Sequence, residues 1–98
     1  MIRIEKDYFK DRSKESKIYS EINIGDTVYI CEKYMQKYAK ELVHLAKGKV
    51  IRKLSKDNHP RGIKVEIIVP ELNIKLIGRV VYLVKDGEIV RNTDFVIK

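Results

Sequence analysis

Cys31 is the only cysteine among 98 residues, which excludes an intrachain disulfide. Together with two scattered histidines, His44 and His59, it cannot complete a tetrahedral zinc set, so neither metal nor cofactor is expected. No apolar run approaches the roughly 20 residues of a membrane-spanning helix. Charge begins at Arg3 in Met1-Ile2-Arg3-Ile4-Glu5-Lys6-Asp7, unlike a signal peptide. A cytoplasmic protein with no membrane partner is the expectation. Also missing are a Gly-rich phosphate loop, a Ser-centred elbow and any nucleophile spacing between Cys31 and a histidine. Those absences point away from an enzyme and toward a binding module.

Hydrophobic residues make up 44% of the chain, enough for one domain with one modest core. The net charge is +7, from 21 Lys and Arg against 14 Asp and Glu. It is concentrated: residues 47–64 carry Lys47, Lys49, Arg52, Lys53, Lys56, Arg61 and Lys64 against Asp57 alone, a net +6. So focused a field favours a polyanion, RNA or DNA, because each neutralised phosphate releases counterions. A solvated, Lys-rich face serving solubility is the plainer alternative. Mimicry of DNA is excluded by the sign.

Residues 1–20 are charged, with weak alternation at Ile2 and Ile4 and an aromatic pair, Tyr8 and Phe9, and read as an arm or a peripheral strand. The folded domain is expected over 21–98, opening on the turn Gly25-Asp26. β-prone segments follow at 27–31, 49–54, 63–69, 74–84 and 88–91, with a sixth at 95–97, most separated by turn signals. Alternation is clearest at Ile63, Val65, Ile67 and Val69. Segment 74–84 is apolar on both faces, with Ile74, Leu76, Val80 and Tyr82 opposite Ile77, Val81 and Leu83, and Gly78 suggests a bend. A short chain buries both faces of a strand most readily in a small barrel.

Residues 32–47 carry Met35, Tyr38, Ala39, Leu42, Leu45 and Ala46 at helical spacing, with Gly48 as a C-cap, and predict one inserted amphipathic helix. Its apolar face, with Tyr34, Met35 and Tyr38, is expected to pack on the core. Lys33, Lys37, Lys40, His44 and Lys47 form a second stripe on the opposite side. The turn His59-Pro60-Arg61-Gly62 has its own logic, since Pro60 fixes φ and Gly62 accepts φ > 0. It projects His59 and Arg61, with Lys56 and Lys64 beside them, toward a phosphate or a base. Turn chemistry alone would also select Pro and Gly.

Gly25-Asp26-Thr27-Val28-Tyr29-Ile30, followed by Gly48-Lys49-Val50-Ile51-Arg52 and a basic turn, resembles an SH3-like or KOW-like barrel. More specifically, Gly48-Lys49-Val50, His59-Pro60-Arg61-Gly62-Ile63-Lys64-Val65 and Ile77-Gly78-Arg79-Val80 resemble the YwbE-type family of small bacterial proteins, over roughly residues 22–83. The resemblance implies a mainly β, antiparallel SH3-like barrel of about five strands. It departs in the long 32–47 segment, where the family has a short basic hairpin loop. Toxin ribonucleases of the MazF type also open on Gly-Asp-x-Val, but their Arg-Pro-containing second strand is missing here.

The expected function is non-catalytic nucleic-acid binding, with RNA favoured over DNA. The site residues are Lys47, Lys49, Arg52, Lys53, Lys56, His59, Arg61 and Lys64, joined by Lys33, Lys37 and Lys40, with Tyr29 as a stacking aromatic. The alternative is a protein-interaction module, an inhibitor or accessory factor of the kind carried by phages and mobile elements, docking a protein partner through a strand edge or the helix.

Overall fold

The computed structural model describes Phe9 and residues 11–92. The Ile2 and Ile4 alternation, Tyr8 and the strand expected over 95–97 lie outside the described residues. Among the described residues five antiparallel strands form, β1 (Thr27–Glu32), β2 (Ala46–Lys53), β3 (Lys64–Val69), β4 (Ile74–Lys85) and β5 (Glu88–Val90). They pair in chain order, and β1 pairs a second time, with β4. Pairing therefore runs β1–β2–β3–β4 and back to β1, while β5 joins the far end of β4 through Leu83↔Val90.

Inward-facing Val28, Ile30, Val50, Val65, Ile67, Val80 and Leu83 fill the main core with Ile22 and Ile63. A second cluster lies on the other side of β4, where Phe9, Val81 and Tyr82 meet Ala39, Met35, Leu42 and Leu45. One extra residue sorts β4 between these cores. Tyr29 pairs with Tyr82 and Ile30 with Val80, so Val81 has no opposite number. Across such a bulge the alternation resets. Val80 and Leu83 therefore share the main core, while Val81 and Tyr82 share the second. The period-2 grouping of Val80 with Tyr82, and of Val81 with Leu83, is thus corrected. Gly78 marks no break in register, since it pairs with Val65 on one side and Glu32 on the other. It is needed for close approach, because a Cβ there would lie 2.5 Å from the Cys31 carbonyl oxygen.

The segment before β1 is built into the fold. Among its described residues it forms two 3-10 turns, Lys14–Lys17 and Tyr19–Glu21, and no strand. β3 and its extension at Ile63 pair with β4 only as far as Val80, and β5 ends opposite Leu83, which leaves a gap along that side of β4. Ser13 fills it. Its N–H donates to the Val81 carbonyl at 3.0 Å, and its hydroxyl accepts from the Leu83 N–H at 2.8 Å while donating to the Val90 carbonyl. Ser16, also fully buried, donates to the Ser13 carbonyl at 2.6 Å.

The helix expected over 32–47 is absent. A single irregular turn, Lys33–Met35 extended to residue 38, precedes a second 3-10 turn, Leu42–His44. The first turn keeps some helical character, since the Ala39 N–H donates to the Met35 carbonyl at 2.7 Å. Then the ladder is diverted. The Lys40 and Glu41 N–H groups donate to His44 Nδ1, at 3.0 and 3.2 Å, and Glu41 adopts extended geometry with φ −136°. Side chains that capture backbone donors in this way compete with helix propagation. Residues from Ala46 onward pair with β1 instead, so β2 begins three residues before the expected strand.

Candidate nucleic-acid interface

Outward-facing residues of β2, β3 and β4 form three cross-strand rows. Lys49 lies opposite Ile68, which lies opposite Lys75. Arg52 lies opposite Glu66, which lies opposite Ile77, and Lys64 lies opposite Arg79. Lys47 extends the first of these strands beyond Lys49. Directly opposite side chains sit about 4.5–5.5 Å apart at Cβ, so Lys64 and Arg79 are immediate neighbours, while Lys49 and Lys75 flank Ile68 on the same face.

Glu66 is the one acid within the three rows, and Arg52 engages it at 3.2 Å. Lys47, Lys49, Lys64 and Lys75 are exposed and make no ion pair among the described residues. The direct Lys64↔Arg79 opposition joins like charges, which is unfavourable within a sheet. The Arg79 guanidinium is partly relieved by donating to the Gly62 carbonyl at 3.0 Å.

The expected residues separate into groups. Lys47, Lys49, Arg52 and Lys64 are on this face. Lys53 is turned from it, because β2 carries an extra residue at Ile51, which places Lys53 opposite the buried Val65. There its ammonium donates to the Tyr19 carbonyl at 2.9 Å and sits 3.6 Å from the Tyr19 ring centroid. Lys53 is a half-buried fastener for the segment before β1. Lys56 is exposed in the loop that follows β2.

The His59 turn is fastened from several sides. The His59 N–H donates to the Lys17 carbonyl at 3.0 Å, its Nδ1 accepts from the Arg61 N–H at 3.0 Å, and the Arg61 carbonyl accepts from Arg12 at 3.0 Å. Gly62 takes φ +107° with its α-carbon against the Val80 carbonyl, where no side chain fits. Partial burial, with the Arg79 and Arg61 charges, lowers the His59 pKa below the ordinary imidazole value. A neutral ring with Nδ1 as acceptor suits that geometry. His59 thus holds the turn, and the Arg61 side chain remains exposed.

Without the long helix, the basic stripe at helical spacing does not form. Lys33 and Lys37 stay on the first turn, Lys40 lies beyond its end, His44 faces backbone donors, and Lys47 belongs to β2. Tyr29 is half-buried, edge-on to Tyr82 at 6.4 Å, with the Lys47 ammonium 5.8 Å from its ring centroid. Met35 and Ala39 pack inward as expected, but Tyr34 and Tyr38 are 69% and 65% exposed. These tyrosines line a shallow groove with Glu32, Lys33, Gln36, Lys37 and the exposed side chain of Ile77.

Sequence reasoning missed Lys75, Arg79 and the two open tyrosines. The first pair was within reach, since 75, 77 and 79 alternate with the inward 76, 78 and 80. Which way Tyr34 and Tyr38 point depends on how the 33–45 segment packs, and no local pattern carries that. Among the described residues no group of three or more His, Cys, Asp or Glu is placed to hold a metal ion. Nor is any helix there long and apolar enough to cross a membrane. Comparison with family models, with curated proteins and with solved structures gives no match for the chain.

Proposed function

We propose that this protein is a cytoplasmic, non-catalytic nucleic-acid-binding module on an SH3-like barrel, with RNA as the favoured ligand. The outer face of β2, β3 and β4 tracks the phosphate backbone. The observation that carries this reading is the row structure of that face, where exposed Lys47, Lys49, Lys64 and Lys75 lack carboxylate partners among the described residues. A fold that only needed solubility gains nothing from setting Lys64 against Arg79. A phosphate between them removes the conflict.

Two of the three stretches that resemble the YwbE-type family, His59–Val65 and Ile77–Val80, meet beside this face. The Ile63 carbonyl accepts from the Val80 N–H at 2.9 Å, and Arg79 grips the Gly62 carbonyl. Kinship with that family in fold is part of the proposal. Titration of 15N-labelled protein with a 12-nucleotide RNA tests the reading. The largest amide shifts are expected along Lys47–Arg52, Lys64–Ile68 and Lys75–Arg79, and no shift at low salt would refute it.

Docking of a protein partner is the second reading. It is favoured by Val43, 80% exposed, which belongs to the same 33–45 segment as the open tyrosines. Co-purification of one protein partner after nuclease treatment, without RNA binding, would support it over the first.

A further inference from the structure

The groove at β1's end differs from the basic face in chemistry. Tyr34 and Tyr38, four residues apart on one irregular turn, present rings to solvent, whereas Met35 and Ala39 of the same turn are packed inward. Both rings line one groove, which lets each meet one of two successive unstacked bases. Ile77 lines the groove as an apolar surface, and Lys33 and Lys37 supply charge beside each ring. Ile77 is also the last member of the Arg52, Glu66 and Ile77 row, so the groove continues the basic face.

Exposed aromatics interleaved with lysines bind single strands, because every base offers a π-face and the backbone offers a charge. A duplex hides its bases and cannot use such rings. Glu32 and Gln36 also line the groove, and the nearby Glu32 charge raises the Tyr34 pKa. A carboxylate in a site for a polyanion is unfavourable unless the ligand brings donors to it. The ribose 2′-hydroxyl is such a donor, and it separates RNA from DNA.

We propose that the Tyr34–Tyr38 groove is a stacking site for two unpaired bases of single-stranded RNA, with Lys33 and Lys37 on the flanking phosphates. This rests on the nucleic-acid reading above and names its ligand. Fluorescence anisotropy with a labelled 12-nucleotide uridine RNA, the same length of deoxyuridine DNA and a 12-base-pair RNA duplex tests it. The proteins compared are wild type, Tyr34→Ala, Tyr38→Ala, Tyr38→Phe and a Lys49→Ala/Lys64→Ala/Lys75→Ala variant. Both rings are mostly in water, so their removal leaves the fold intact, which a thermal melt confirms.

Each alanine substitution should weaken single-stranded RNA binding roughly 5- to 150-fold, the range of a lost stacking contact. Duplex affinity should stay unchanged, Tyr38→Phe should retain wild-type affinity, and the DNA should bind more weakly than the RNA. If the lysine variant loses RNA affinity while both tyrosine variants keep it, the groove proposal falls and the basic face stands. If wild type binds none of the three probes, both fall. If the tyrosine substitutions instead dissolve a dimer without altering RNA affinity, the groove is a protein contact and the proposal is overturned. Equal affinity for the RNA and the DNA overturns the assignment to RNA.

Discussion

Ser13 shows how a single side chain closes an account that the strands leave open. Its backbone and hydroxyl satisfy the side of β4 between Val80 and Leu83, and it is fully buried while doing so. Ser13→Ala leaves the Leu83 N–H and the Val90 carbonyl without this partner and should cost about 1–3 kcal/mol by urea unfolding. Lys53 and Lys64 make the opposite contrast within one basic stretch. Lys53→Ala removes a hydrogen bond and a cation–π contact, and should lower stability by about 1 kcal/mol or more. Lys64→Ala should change it by less than ~0.5 kcal/mol and act on RNA affinity instead. Tyr82 gives a pH signature. Burial, followed by its hydrogen bond to Asp11 at 2.5 Å and the Asp11 charge, pushes its pKa up to about 12 from 10.0. The unfolded chain then gives up the phenolic proton first. This contribution is complete below pH 10 and is lost as pH rises toward about 12. Unfolding midpoints should fall across that window, and Tyr82→Phe should flatten the fall.

At the level of elements, alternation located all five strands to within a few residues, because inward and outward positions differ so plainly at Val65, Glu66 and Ile67. What alternation cannot register is one extra residue. The bulges at Val81 and Ile51 exchanged the faces of Tyr82 and Lys53, and both depend on a partner strand far away in sequence. The 33–45 segment failed differently. Its apolar spacing was real, as Met35, Ala39, Leu42 and Leu45 all reach the second cluster, but two short turns joined by extended backbone deliver them there. Isolated helices of this length are marginal, and His44 supplies a competing acceptor. Carbon chemical shifts in solution should be helical near Tyr34 and Gln36 but extended at Glu41 and Leu45. An unbroken helical run from 33 to 45 would contradict the structure. The segment before β1 read as an arm because its charged residues show no period, whereas its buried contacts come through Phe9, Ile22 and two serines at no regular spacing.

For the whole molecule, the concentration of charge in residues 47–64 was legible, but its arrangement in space was not. Folding removes Lys53 from the outer face and adds Lys75 and Arg79 from β4, so the field belongs to three strands and not to one stretch of chain. Its worth is measured most directly by the dependence of RNA affinity on salt. Each phosphate contact with a single strand contributes about 0.7 to the slope of log K against log salt. For the 12-nucleotide RNA, wild type should show a steep negative slope, and Lys49→Ala/Lys64→Ala/Lys75→Ala should make it shallower by about 2. A slope near zero for wild type, or one that the triple substitution leaves unchanged, would contradict the assignment of this face to the phosphate backbone.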